Sequence, residues 1–470
     1  MTMPSCARVE RCAACCGESY RRRCSAAAPW PPARASAFSP HGDQLAFVRW
    51  SDPHKYELVV ARINGSRQRV VAVRGGGEYF SREGPAWSPD GELIAVATGN
   101  VAREMTIVLL NVATEREQRL TTRTWENIGA LVWHMDGSAL VMDAREVWLQ
   151  PHQLWRVAYP DGQAERLTHD LSNYAGVSAS ADATMLLTIQ RERVANVWVG
   201  PADNLAGATE LPGGMNGRHG VFGLTWTPDN RILYTSSMGD GADMWIAAPG
   251  RGDPTRLTAR TGMSAFPTVA PDGRSVFFVS ASSGRRHVWT MGIDGAGQRA
   301  LTAGDEDTYP DITPDGRWIV YQLGGHHRLW KVSADGALRT PLTTERATRP
   351  RVSPDGRLVA CNLWDKEARR WKVALLSFES GRVLGMLDDI PSSPWTIVRW
   401  TPDGRGLTYV DSRTEDHNLW TLPIDGGVPR QLTRFTSGHT HDFAWSHDGR
   451  YLAWSRGPRT HDLVLVTGLR

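Results

Sequence analysis

Pro85-Ala86-Trp87-Ser88-Pro89-Asp90-Gly91-Glu92-Leu93-Ile94-Ala95-Val96 reads as two short apolar strands joined by a tight turn. Ser opens a type I turn, Pro presets φ at the second position, and Gly takes the left-handed conformation that ends it. The same four-residue turn stands at 39–42, 134–137, 180–183, 227–230, 270–273, 313–316, 353–356, 401–404 and 446–449, with intervals of 49, 46, 46, 47, 43, 43, 40, 48 and 45 residues between the fourth positions. Asn230 suits the left-handed position, whereas Ala183 suits it poorly. Ten turns at nearly constant spacing make the chain a tandem repeat.

Each unit carries the same marks beyond its turn. A third strand follows about fifteen residues later, with Trp in seven successive copies (Trp155, Trp198, Trp245, Trp289, Trp330, Trp371, Trp420). A fourth often ends in Arg-Leu-Thr or Gln-Leu-Thr, as at 119–121, 166–168, 256–258 and 431–433. Four short strands in a unit of about 43 residues is the period of a β-propeller blade. The expectation is an all-β protein of ten four-stranded blades, with nearly all of the 20 Trp packed between blades.

Composition agrees with a large folded body, at 41% hydrophobic and 22% charged over 470 residues. Residues 1–34 are set apart as a disordered extension rich in Cys, Arg, Ala and Pro. Five of the six Cys lie there, and their spacing lacks the second pair that a zinc site needs. The basic residues are almost all Arg, evenly scattered among Asp and Glu, so no nucleic-acid partner is expected. No apolar run is long enough to span a membrane and the first 25 residues lack an apolar signal core, which alone reads as an untargeted, cytoplasmic chain.

The Ser-Pro-Asp-Gly-Arg turn, the Leu-Trp strand and the Arg-Leu-Thr ending resemble the WD-like repeats of TolB-type propellers over residues 36–470. Ser393-Pro394-Trp395, Arg399-Trp400-Thr401-Pro402-Asp403-Gly404-Arg405, Leu407-Thr408-Tyr409-Val410-Asp411 and Phe443-Ala444-Trp445-Ser446 further resemble the C-terminal sensor propeller of large bacterial membrane-anchored Ser/Thr kinases. Related propellers are attached to winged-helix regulators. The resemblance implies a non-catalytic, protein- or peptide-binding sensory module, monomeric and extracytoplasmic, whose kinase or DNA-binding effector lies outside this sequence.

No kinase motif and no Gly-x-Ser-x-Gly elbow occurs. Gly295-Ala296-Gly297-Gln298-Arg299-Ala300 has the letters of a dinucleotide fingerprint without the following helix, and reads as a hairpin loop. His439-Thr440-His441-Asp442 and His326-His327 offer imidazoles, and Asp305-Glu306-Asp307 offers carboxylates for a hard cation. The plainer reading is loop residues and an acidic surface loop, so no metal and no cofactor is expected. The competing class is an enzyme, whether lyase, hydrolase or metal-dependent, with its site at the channel mouth.

Propellers bind ligands where the outer strand of one blade leads to the inner strand of the next. Asn173, Tyr174, Arg218, His219, Phe266, Asp307, Tyr309, Arg349, Trp395, His439 and His441 occupy those places. Ten units exceed the usual single ring of 4 to 8 blades. The expected division is an incomplete propeller of three blades at 35–163 and a seven-bladed ring at 164–470. That ring would close by pairing Glu165-Arg166-Leu167-Thr168 with Leu463–Val466; the rival is one ring of ten.

Overall fold

A computed structural model describes residues 36–467, apart from 53–54, 181, 183, 213–216, 238–240, 259–262, 305 and 325–326. Strands fill the described residues, and one short 3₁₀ turn, Leu205–Gly207, is the only helical element among them. The expected all-β architecture is present as ten antiparallel sheets.

The turns act as the sequence implies. Ser88 Oγ donates to Asp90 Oδ1 (2.5 Å) and accepts from the Leu93 amide (2.8 Å), while Gly91 returns its N–H to the Ser88 carbonyl at 2.9 Å with φ 75°. Asn230 holds the equivalent conformation at φ 60°; Ala183 lies outside the described residues. Pro has a second task that the turn alone does not reveal. Six of the turn glycines lie against the proline of the preceding turn, Gly91 on Pro40, Gly273 on Pro228, Gly316 on Pro271, Gly356 on Pro314, Gly404 on Pro354 and Gly449 on Pro402, whereas Gly137 has no such neighbour. Successive sheets are therefore stacked through their turns.

The Leu-Thr endings also have a mechanical meaning. The Thr hydroxyl accepts the third-strand amide that the short fourth strand leaves unpaired: Leu154 to Thr168, Met244 to Thr258, Val288 to Thr302, Leu329 to Thr343 and Leu419 to Thr433, all at 2.9–3.0 Å. Where Arg precedes, its Nε donates to the carbonyl of the same Thr, as in Arg119, Arg166 and Arg256 at 2.8 Å.

Sheets one to three, within residues 36–74, 79–119 and 127–166, take their strands in chain order. So do sheets six to ten, within 218–256, 264–300, 308–341, 347–387 and 398–431. The fourth and fifth depart from it. Sheet four is Asn173–Ala179, Met185–Arg193 and Arg459–Thr467, and sheet five is Thr209–Glu210, Asn196–Pro201, Tyr451–Gly457 and His439–Trp445. The third strands of the fourth and tenth repeats have exchanged sheets.

Turn chemistry explains the exchange. Folding back into an antiparallel partner needs residues that adopt left-handed φ, but only Val194 and Ala195 separate Met185–Arg193 from Asn196–Pro201, and only Pro458 separates Tyr451–Gly457 from Arg459–Thr467. None of these, nor Gly457, has positive φ. Both links run straight on into the neighbouring sheet and meet where they cross, so that a Cβ on Gly457 would collide with the Val194 carbonyl and lie 2.9 Å from Ala195 Cα.

The pairing expected between 165–168 and 463–466 is accordingly not the one formed. Ala164–Arg166 completes the third sheet beside Gln153–Ala158, and Leu463–Val466 pairs with Leu186–Ile189. Of the rival donor, Trp30 to Ser36, residues 30–35 lie outside the described residues, and Ser36 pairs with Phe47 in the first sheet. Sheets five to ten instead make a circuit. Their first strands pack in order, and Arg218–Trp226 of the sixth sheet packs on His439–Trp445 of the fifth. Trp226 Nε1 donates to the Ala444 carbonyl at 2.9 Å, and His447, standing where other turns have Pro, reaches the Trp226 carbonyl at 3.3 Å.

Second strands such as Ala139–Arg145, Ile232–Ser237 and Ser275–Ser280 are buried on both faces and pack sheet on sheet, with Trp87, Trp125, Trp133, Trp155, Trp226, Trp400 and Trp454 buried. Among the described Trp, Trp395 alone is exposed. Cys361 is fully buried in the ninth sheet, where desolvation raises its thiol pKa to about 12.

Candidate functional site

The end of the circuit where the first strands begin carries most of the channel-mouth residues. Three sheets repeat one device there. Phe266, Tyr309 and Arg349 each precede Pro, sit at a register bulge and hold φ of 53°, 54° and 53°. Left-handed φ costs a side-chain-bearing residue about 1–2 kcal/mol, and here it brings three side chains into one row. The Phe266 and Tyr309 rings lie 4.4 Å apart, and the Arg349 guanidinium lies 4.4 Å from the Tyr309 centroid.

Part of this row is covered by the third sheet. Its 146–152 loop places Trp148 against Ala242, Met263, Ala265 and Val279, with its ring 6.1 Å from Phe266 and the Arg286 guanidinium 4.8 Å from its centroid. Glu126 pairs with Arg145 (2.6 Å) and Arg103 (3.2 Å), while Glu306 pairs with Arg286 and, at 3.6 Å, with Arg103. Glu306 and Asp307 are 5% and 0% exposed, which corrects the expected acidic surface loop. The Thr302 hydroxyl donates to Asp307 at 2.5 Å, and burial raises the Asp307 carboxyl pKa. Asp305 lies outside the described residues.

Other candidates also turn inward. Asn173 Oδ1 accepts the His152 amide (2.9 Å) and Tyr174 donates its hydroxyl to Asp170 (2.7 Å), both in sheet four, which is not one of the six sheets of the circuit. His219 is buried edge-on against Tyr234.

His439 and His441 stand with His417, which the sequence did not single out because it lies in the loop before Asn418–Pro423. His439 Nδ1 is 3.1 Å from His417 Nε2, and the His439 and His441 rings stack at 6.4 Å. Burial, then the nearby cations, lower the pKa of all three, that of His439 to about 4. Asp442, the other carboxylate of that segment, pairs with Arg399 at 3.0 Å and accepts the Leu224 amide at 3.3 Å. No group of three or more His, Cys, Asp or Glu among the described residues is placed to hold a metal ion. His326 is outside the described residues; His327 contacts Gln322 at 3.0 Å.

Trp395 is 62% exposed, yet its backbone is braced. Its amide donates to Ser393 Oγ (3.1 Å), the Ser393 amide donates to Thr396 Oγ1 (2.8 Å), and the Pro394 carbonyl accepts from Thr348 of the adjacent sheet (2.9 Å). Thr348 immediately precedes Arg349.

Residues 222–349 match the TolB beta propeller domain. Together with the stacked antiparallel sheets, this makes the fold of that stretch TolB-like. An uncharacterized protein of Agrobacterium fabrum is 26% identical over 213 residues, covering 42% of this chain and 69% of its own length. The uncharacterized peptidase YuxL of Bacillus subtilis is 27% identical over 205 residues, 40% of this chain but only 29% of that protein. Among solved structures, TolB from Acinetobacter baumannii shares 20% identity over 63% of each chain with a TM-score of 0.24, and a putative TolB from Agrobacterium tumefaciens shares 15% over 86% of this chain and 98% of its own, with a TM-score of 0.22. No helix among the described residues is long and apolar enough to cross a membrane.

Proposed function

We propose that the chain is a non-catalytic binding module, and that a protein or peptide partner docks on the open sector of the six-sheet circuit around Trp395, Arg349, Arg218 and His439. The observation that carries this reading is the exposed Trp395 on a hydrogen-bonded turn beside Arg349. An aromatic side chain on a stiff mount contributes contact area at little entropic cost, and Trp with Arg is the pairing that dominates binding hot spots. We further infer that sheets five to ten form one ring over residues 196–457, and that sheets one to four form an incomplete second propeller.

A sensory role in a larger signalling chain and an extracytoplasmic location belong to the same proposal and rest on the sequence resemblance to kinase-attached propellers; a monomeric state is proposed with them. The competing enzyme reading draws on the peptidase-named relative. Selection of displayed random peptides on the wild-type protein tests the proposal. Enriched peptides should bind Trp395→Ala and Arg349→Ala at least about tenfold more weakly, a loss of about 1.4 kcal/mol. Equal binding to the variants, or turnover of a chromogenic peptide panel abolished by changing the same residues, would overturn it.

A further inference from the structure

The crossing point of the two exchanged strands gathers positive charge that the chain does not neutralise. Register places Arg193 directly opposite Arg459, and Arg191 opposite His461. Facing like charges destabilise a strand pair. Arg218 joins them through its bridge to Ala195, and Arg456 lies opposite Asn196 on the adjoining strands. Among the described residues no carboxylate forms an ion pair with Arg193, Arg218, Arg456 or Arg459.

The acidic groups nearby are otherwise engaged. Asp411 is held by Arg413 at 2.6 Å, Asp416 hydrogen-bonds Arg456 through its backbone carbonyl at 3.1 Å, and Glu192 contacts Gln190 at 3.4 Å; the Asp416 and Glu192 carboxylates act on Arg456 and Arg218 only at longer range, without an ion pair. The imidazoles of His439 and His441 lie within electrostatic reach of Arg193 and Arg459, and that of His417 within reach of Arg459 and Arg456. His441 Nε2 and Arg456 Nη2 are buried with no hydrogen-bond partner. A buried polar atom left without a partner is costly, so their shared orphan state, beside guanidinium groups with no carboxylate, calls for a partner the chain does not supply. Burial, then Arg459, Arg218 and Arg191, lower the Arg193 pKa to about 10.

We propose that this crossing is a binding site for an oxyanion, either a free phosphate-type ion or an acidic group of a bound polypeptide, held by Arg193, Arg218 and Arg459 with His441 Nε2 and Arg456 Nη2 as further donors. Planar guanidinium forks suit phosphate and carboxylate oxygens. The site stands on the charge and donor arrangement alone, so it survives if the Trp395 docking reading fails.

Inorganic phosphate is the first probe. Calorimetric titration of the wild-type protein at constant ionic strength should show saturable, single-site binding at millimolar phosphate, weakened at least about tenfold in Arg193→Gln and in Arg459→Gln. Without phosphate, both variants should melt above the wild type because repulsion is relieved, and neither should gain the melting increment that phosphate gives the wild type. Carbon-detected NMR should show the His439 pKa rising when phosphate binds. Absence of saturable heat, equal affinity in the variants, or an unmoved His439 would each overturn the site. A glutamate-rich peptide that displaces phosphate assigns the oxyanion to a polypeptide, and a peptide that fails to displace it assigns the site to the free ion.

Discussion

Gly457 is the residue on which the chain's exchange of strands depends most directly. Its α-carbon passes the Val194 carbonyl so closely that no side chain fits. Gly457→Ala should destabilise the protein by about 1–3 kcal/mol, the cost of overpacking a tight contact, measured as a lowered urea midpoint. Trp395→Ala should leave that midpoint within about 0.5 kcal/mol, since an exposed side chain with no buried contact contributes little. Histidine makes the residue scale pH-dependent. His327 and His439 have native pKa values of about 4, lowered first by burial and then by neighbouring charge, below the unfolded value of 6.5. Between those values the unfolded chain binds more protons, so stability rises with pH there and is lost as pH falls from about 6.5 towards 4. For His327→Gln, the stability difference between about pH 7 and about pH 5 should shrink by on the order of 1–2 kcal/mol.

At the scale of the element, the exchanged strands have unlike environments. Asn196–Pro201 is paired on both edges, with Thr209–Glu210 and with Tyr451–Gly457. Arg459–Thr467 is paired on one edge and mostly exposed, Leu463 and Leu465 included. Amide hydrogen exchange should therefore be slow at 196–200 but alternate along 459–467, slow only where an N–H faces Met185–Arg193. Uniformly fast exchange at 196–200 would contradict the exchanged pairing. The turns and the Leu-Thr endings were legible in advance because their chemistry is local. Ser, Asp and Gly act within five residues, and the Thr hydroxyl acts on a neighbouring strand at fixed separation. The exchange was not legible, because a missing turn residue says that a strand will not fold back without saying which sheet receives it.

For the whole molecule, the circuit of sheets five to ten contains its own closure, carried by the Trp226–Ala444 hydrogen bond and the exchanged pair. A chain of residues 195–458 should fold with a β-type circular-dichroism spectrum and one cooperative melting transition. A molten or aggregated product would mean that sheets one to four are needed, most directly through the Trp148 loop and the Arg103–Glu306 contact.

Fold class, repeat number and the turn at the head of each hairpin were determined by the sequence, since each depends on residues within one unit. Phe266, Tyr309 and Arg349, expected in loops, stand inside first strands at their bulges, while Trp395 precedes its first strand. Which candidates are buried, and which three histidines meet four arginines, was decided only by the tertiary structure. Those outcomes depend on strands that lie more than two hundred residues apart in the chain, and no local pattern encodes the order in which sheets of nearly identical shape stack upon one another.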